Sequence, residues 1–208
     1  MNSGYLSLII LCIMLILLLS GWKDVYVEHI STKRILLFFV GWLVLFPFHL
    51  NLYGWQMNLV YIWVALFSIA ILYQITGFLH KLHLLSIGLL LGSIHFLLQE
   101  VLSMDPILVI FKPSLDAALL LAMIVILVER HVKEQIACLS IGLLMGDFLF
   151  GFVHHSAAPV QFGGPSFQDE WWLSVFTART MTILLQTAYS GCKWMIRSWL
   201  SRRGGWRK

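Results

Sequence analysis

Seven apolar stretches, each roughly 18–22 residues long and nearly free of charge, constrain this chain more than any other feature. An α-helix climbs 1.5 Å per residue, so each stretch matches about 30 Å of hydrocarbon. The pattern predicts an all-α, polytopic integral membrane bundle of seven transmembrane helices over residues 3–22, 35–53, 58–79, 84–102, 114–132, 136–153 and 171–195. In 208 residues these spans leave room for one transmembrane domain, 1–208, ending in a basic tail over 196–208. Pro47 and Arg179 interrupt the second and seventh spans, which bilayer helices tolerate when neighbours satisfy the freed groups. The first stretch is expected to be a true span, because its basic flank follows the apolar run instead of preceding it as in a secretory signal.

Lysine and arginine set the direction. On a seven-span count, twelve of the fourteen fall on one side: Lys23, Lys33, Arg34, Lys81, Arg130, Lys133, Lys193, Arg197, Arg202, Arg203, Arg207 and Lys208. Lys112 and the intramembrane Arg179 are the exceptions. Cytoplasmic loops are enriched in these residues, so the N-terminus is expected outside and the C-terminus in the cytoplasm, with the protein in the cell membrane. Trp22, Trp194 and Trp199 are expected at the inner interface, and Trp55, Trp171 and Trp172 at the outer one. Lys193, Arg197, Arg202, Arg203, Arg207 and Lys208 then form a membrane-surface anchor. A tail tied to a bilayer meets anionic inner-leaflet lipid first, at about 1 kcal/mol per basic side chain. Lipid, not nucleic acid, is therefore the expected partner.

The chain also carries a repeat. Leu85–Gly92 reads LSIGLLLG and Leu139–Gly146 reads LSIGLLMG, 54 positions later. The same offset lays the third span over the fifth, which suggests two copies of one hairpin; coincidence in a leucine-rich chain is the plainer alternative. Gly88/Gly92 and Gly142/Gly146 are small-xxx-small pairs, which let helix backbones approach where lipid supplies no hydrophobic drive.

Ionisable residues inside a span cost on the order of 2.5–3.5 kcal/mol at its centre and by default mark something. Counted along their spans, His95, Asp147 and Arg179 all stand about 10 Å beneath the outer surface. The simplest expectation pairs Asp147 with Arg179 across neighbouring helices, with His95 in reach, as a structural clamp or as the wall of a polar pocket. Gln186 extends the cluster. It belongs to a stripe of Arg179, Thr182, Gln186, Ser190 and Lys193 at three- or four-residue spacing, which either helix contacts or a hydrated path would explain.

On the outer face His49, Glu100, His154 and His155 are candidate contributors, beside Asp105, Asp116, Asp169 and Glu170. The loop after His155, through Gln161-Phe162-Gly163-Gly164-Pro165, is a candidate lid. Asp116, two residues after Ser114, reads as a helix-start charge. No HExxH or regular histidine spacing accompanies these residues, and Cys12, Cys138 and Cys192 lie apart in apolar segments. No metal, cofactor or disulfide framework is expected.

Seven spans, the N-terminal run Met1-Asn2-Ser3-Gly4-Tyr5-Leu6-Ser7-Leu8 and the basic tail together resemble the YphA-like multi-pass membrane proteins of Bacillus-related bacteria. The resemblance covers the whole chain, implies a bacterial cytoplasmic-membrane protein, and carries over no catalytic residue. Three function classes follow from the residues. The leading one is a non-enzymatic scaffold, envelope or assembly component, since no reaction motif is present. The second is a small transporter or channel with a polar site formed by His95, Asp147 and Arg179. The third, an intramembrane hydrolase, lacks a GxSxG nucleophile pattern.

Overall fold

The computed structural model describes residues 3–27, 30–52, 55–154 and 161–204, with the backbone alone at 24, 52, 106 and 196–204. His155, Arg207 and Lys208 lie outside the described residues. The first helix, α1 (Tyr5–Leu17), passes through a π-helical turn at Leu18–Trp22 into the short α2 (Lys23–Tyr26). Then come α3 (Thr32–Leu45), α4 (Leu59–Gln74), α5 (Phe78–Met104), α6 (Pro113–Val128), α7 (Val132–Val153) and α8 (Pro165–Gly204). By length and composition, Tyr5–Trp22, α5 and α7 are able to cross a membrane. The apolar helices α4 and α6 have 16 residues each, or about 24 Å of rise.

Several spans end elsewhere than hydropathy suggests. The expected second helix, 35–53, stops at Leu45, because Pro47 offers no N–H to continue the ladder and its ring crowds the carbonyl four residues back. The chain instead forms β1 (His49–Leu52), antiparallel to β2 (Trp55–Asn58), and β3 (Gln161–Phe162) adds parallel to β2. Asn58 joins this sheet to α4: its side-chain Oδ1 accepts from the Val60 N–H at 2.8 Å, and its side-chain Nδ2 donates to the Phe46 carbonyl at 3.1 Å. At the other ends, α5 and α7 begin earlier than expected, at Phe78 and Val132, since polar first turns (His80, Lys81, His83; Lys133, Glu134) hide helix from a hydropathy count. The fifth helix ends at Val128 and not at 132. The seventh is the largest departure, 40 residues in place of 171–195.

The two copies of the octapeptide lie against each other. Helices α5 and α7 run parallel and in register, so that residues 54 apart face one another: His80 bonds Glu134 at 2.8 Å, and the Cys138 thiol reaches the Leu84 carbonyl at 3.6 Å. Between these and the sheet, four glycines bring the backbones together. A methyl on Gly92 would stand 2.8 Å from the Met145 Cβ, and one on Gly142 would stand 2.7 Å from the Leu91 Cβ and 3.3 Å from the Gly88 carbonyl. Around this pair, α4 packs on α7 and α6 on α5, while α1 and α6 line α8.

An aromatic cluster fills the space between α3 and α8. Trp171 and Trp172, each 2% exposed, pack on Trp42 with ring centroids 5.1 and 5.2 Å away, and Phe38 and Phe39 join them. The Trp171 indole donates to Ser140 Oγ at 2.9 Å. These two tryptophans are therefore core, not the interface markers that their position near a predicted span edge suggests. By starting at Pro165, α8 carries them inward. Trp22 and Trp194 are exposed, and Trp55 is half-buried against Phe162.

Candidate functional site

At the sheet end of the bundle, the start of α1, the end of α5, the start of α6, the end of α7 and the start of α8 enclose a cleft of about 400 Å³. Its polar lining comes from Gln99 and Ser103 on α5, Lys112 and Ser114 before and in α6, and Ser166, Asp169 and Glu170 on α8. On α5, His95, Gln99 and Ser103 recur every fourth residue and so share one face. On α8, Ser166, Glu170 and Ser174 do the same.

His95, fully buried, lies behind the lining residues Gln99 and Glu170. Its Nε2 stands 3.1 Å from Glu170 Oε2, and the Gln99 amide nitrogen lies 3.2 Å from the same ring nitrogen. Nε2 thus faces a carboxylate, which accepts, and an amide nitrogen, which donates, and it serves one or the other according to its tautomer. Among the described residues, His95 Nδ1 and Gln99 Oε1 are buried without a hydrogen-bond partner. Gly146, the last glycine of the repeat, seats the ring, since a methyl there would lie 2.8 Å from the His95 Cβ. Asp147 follows; it accepts from the Gly163 N–H at 3.3 Å and lies in the electrostatic field of Glu170 and His95.

Asp169 has a different task. Its two oxygens accept from the N–H groups of Gly4 and Ser7, each at 2.7 Å, which caps α1 from another helix. Gly4 holds φ 93°, a conformation that suits glycine, and a carboxylate at this end complements the helix dipole. On the rim Glu100 pairs with His154 at 3.6 Å. His49 lies apart in the sheet, with its Nε2 3.2 Å from the Asn58 amide. The described part of the expected lid is pinned by β3, with Phe162 buried among Trp55, Tyr61 and Phe148. Asp116 accepts from the N–H groups of Ile110 and Phe111 at 2.9 and 3.2 Å, and the α6 cap position is Lys112, not Ser114.

The expected partnership of Asp147 with Arg179 is replaced by another. Arg179 is buried and donates to the carbonyls of Tyr26 (2.8 Å) and Val25 (3.3 Å) and to Gln135 Oε1 (3.3 Å). Gln135 in turn donates to the Glu129 carbonyl and to Thr182 Oγ1. Twelve residues of α7, about 18 Å of rise, separate Gln135 from Asp147. A depth count from Trp171 errs here, because α8 is already six residues long at that point. The polar stripe divides as well: Arg179 and Thr182 are buried, whereas Gln186, Ser190 and Lys193 are exposed. Arg197, Arg202 and Arg203 lie on the far end of α8.

Beside Arg179, the α6–α7 turn gathers a second ionisable group. His80 bonds Glu134 at 2.8 Å, and His83 stands 3.9 Å from Glu129. Burial and the adjacent Glu134 carboxyl push Glu129, which lies in the turn outside the helices, up to about 7. Among the described residues no three His, Cys, Asp or Glu side chains are grouped to hold a metal ion.

Gln99 is the site residue that hydropathy passes over, and Glu170, expected only as an outer-face acid, is instead buried against His95. Both had a visible signal, the four-residue spacing from His95 on one helix and from Ser166 on the other. Apolar helices closing over a buried polar cluster define a helical integral membrane protein. The chain belongs to the YphA-like integral membrane protein family, whose profile matches residues 28–203. No curated protein matches the chain, and no solved structure does.

Proposed function

We propose that this protein is a small multi-pass transporter of the cell membrane that takes a polar, cation-bearing solute into the sheet-end cleft. One observation carries the reading: beside a cleft of about 400 Å³ lies a buried His95–Glu170 pair with His95 Nδ1 and Gln99 Oε1 unpartnered. Each such buried orphan costs about 1–3 kcal/mol. Gln99 and Glu170 line the cleft, so a ligand there recovers the cost of the amide oxygen, whereas His95 Nδ1 faces Gly146 on α7. Glu170 and the Gln99 amide oxygen are acceptors at the wall next to His95, which favours a solute with N–H donors on that side, while Lys112 is the one cation among the lining residues. Arg179 belongs to the opposite end in this reading and plays no part in solute contact.

The same reading gives the topology. Seven crossings place the sheet end outside and the basic tail at the anionic inner leaflet, supported by the twelve-to-two split of lysine and arginine. Thermal unfolding of the purified protein with small primary amines and size-matched carboxylates tests the binding step. Amines are expected to raise the midpoint of the wild type and to leave Glu170→Gln unmoved. If no amine shifts the wild type, or if Glu170→Gln responds equally, the transporter reading fails and the scaffold role is favoured.

A further inference from the structure

A second cleft, of about 470 Å³, opens at the Arg179 end, where α6 stops at Val128 and α8 runs on to Gly204. We infer that it binds an anionic phospholipid, held by its phosphate headgroup and one acyl chain. The wall supplied by Ile126, Leu127 and Leu185 is apolar, and Leu127 is 84% exposed. Arg130 stands three residues beyond Leu127, and Gln186 and Tyr189 face the same space from α8. The cleft is thus greasy on one side and donor-rich at one end, which is the division a phospholipid presents.

Charge selects the headgroup. The nearby carboxyls are engaged elsewhere: Glu134 with His80 at 2.8 Å, Glu129 beside His83 at 3.9 Å. Arg179 donates to Val25, Tyr26 and Gln135 and is not among the residues lining the cleft. Arg130 remains as the charged residue lining the cleft, and a guanidinium matches phosphate oxygens in a two-pronged contact. A choline headgroup would bring its own cation toward Arg130, so an anionic lipid fits better than a zwitterionic one. A soluble phosphate ester would leave the Ile126–Leu127–Leu185 wall uncovered.

This cleft shares no lining residue with the solute cleft at the sheet end. Native mass spectrometry of the full-length protein, released from detergent with dioleoylphosphatidylglycerol or dioleoylphosphatidylcholine, tests it. The phosphatidylglycerol adduct is expected to survive at about tenfold the abundance of the phosphatidylcholine adduct, a difference of about 1.4 kcal/mol. Arg130→Gln should abolish that preference, and Arg130→Lys should restore part of it. Lys33→Gln, an exposed cation elsewhere, should leave it intact. Should Arg130→Gln fail to fold, the Gln186→Ala/Tyr189→Phe double variant carries the same expectation. Equal retention of both lipids, an unchanged preference in the variants, or displacement by glycerol 3-phosphate at matched concentration would overturn it.

Discussion

Replacing Gly142 by alanine puts a methyl where α5 and α7 already touch. The new carbon would sit 2.7 Å from the Leu91 Cβ, 3.3 Å from the Gly88 carbonyl oxygen and 3.4 Å from the Gly92 nitrogen. Carbon atoms rest at about 3.5–4.0 Å, so α5 must retreat by roughly 1 Å. None of these three neighbours is the tip of a flexible side chain, so no rotamer change relieves the crowding. Overpacking of this kind costs about 1–3 kcal/mol, which lowers the folded-to-unfolded ratio by about 5- to 150-fold. Gly191 supplies the control, because a methyl there meets nothing within 4 Å. At that exposed helical site alanine should stabilise by up to about 1 kcal/mol. Equilibrium unfolding of both variants in mixed micelles should therefore move in opposite directions. A Gly142→Ala protein as stable as wild type, beside a Gly191→Ala protein that behaves as expected, would refute the close-packed repeat.

Other perturbations separate the remaining features. Gly146→Ala should push His95 away from Glu170 and remove amine-induced stabilisation; a variant that keeps the full thermal shift would detach the glycine from the site. Asp169→Ala should cost about 0.5–2 kcal/mol by uncapping α1, seen as faster amide exchange at Gly4 and Ser7, and unchanged exchange would contradict the cap. Arg179→Ala should lower stability by orphaning Gln135 and two carbonyls, and adding Asp147→Asn should not rescue it; rescue in the double variant would restore the direct pair. Glu129 has its folded-state pKa raised from 4.5 to about 7, so its protonated form is the favoured one. Its contribution to stability is full below about pH 4.5 and fades as pH rises through about 7. Glu129→Gln should flatten the stability profile across that window, with Glu134, His80, His83 and His131 left to account for any residual slope. An unaltered profile would rule out Glu129 as the titrating group.

The membrane class was legible because composition alone demands it, and the repeat because identical letters recur 54 apart. That those two segments pack in register follows from neither, since spacing within a helix says nothing about which helix lies beside it. Hydropathy merged His49–Leu52 into the second span, because a short apolar strand and the end of an apolar helix carry the same signal. It also missed the first turns of α5 and α7, where histidine, lysine and glutamate are helical but wet. His95 and Asp147 stood out as polar residues in oil; His95 lies behind the cleft against Glu170 and Gln99, and Asp147 bonds the Gly163 N–H. Glu170 did not stand out, since an acidic residue at a predicted loop edge looks solvated, and only the earlier start of α8 buries it. Arg179 was rightly conspicuous but wrongly placed, because depth was counted from a helix end that lies six residues further back.

The length of α8 has mechanical meaning. From Arg179 to Gly204 the helix extends about 37 Å at 1.5 Å per residue. The guanidinium grips the backbone of Val25 and Tyr26 near the base of this rod, while its other limb carries Glu170. A pivot of about five degrees at that grip would swing the far tip through about 3 Å over the 37 Å arm. Glu170 and Gly204 thus sit on one unbroken helix, so a tilt at one end is carried undiminished to the other.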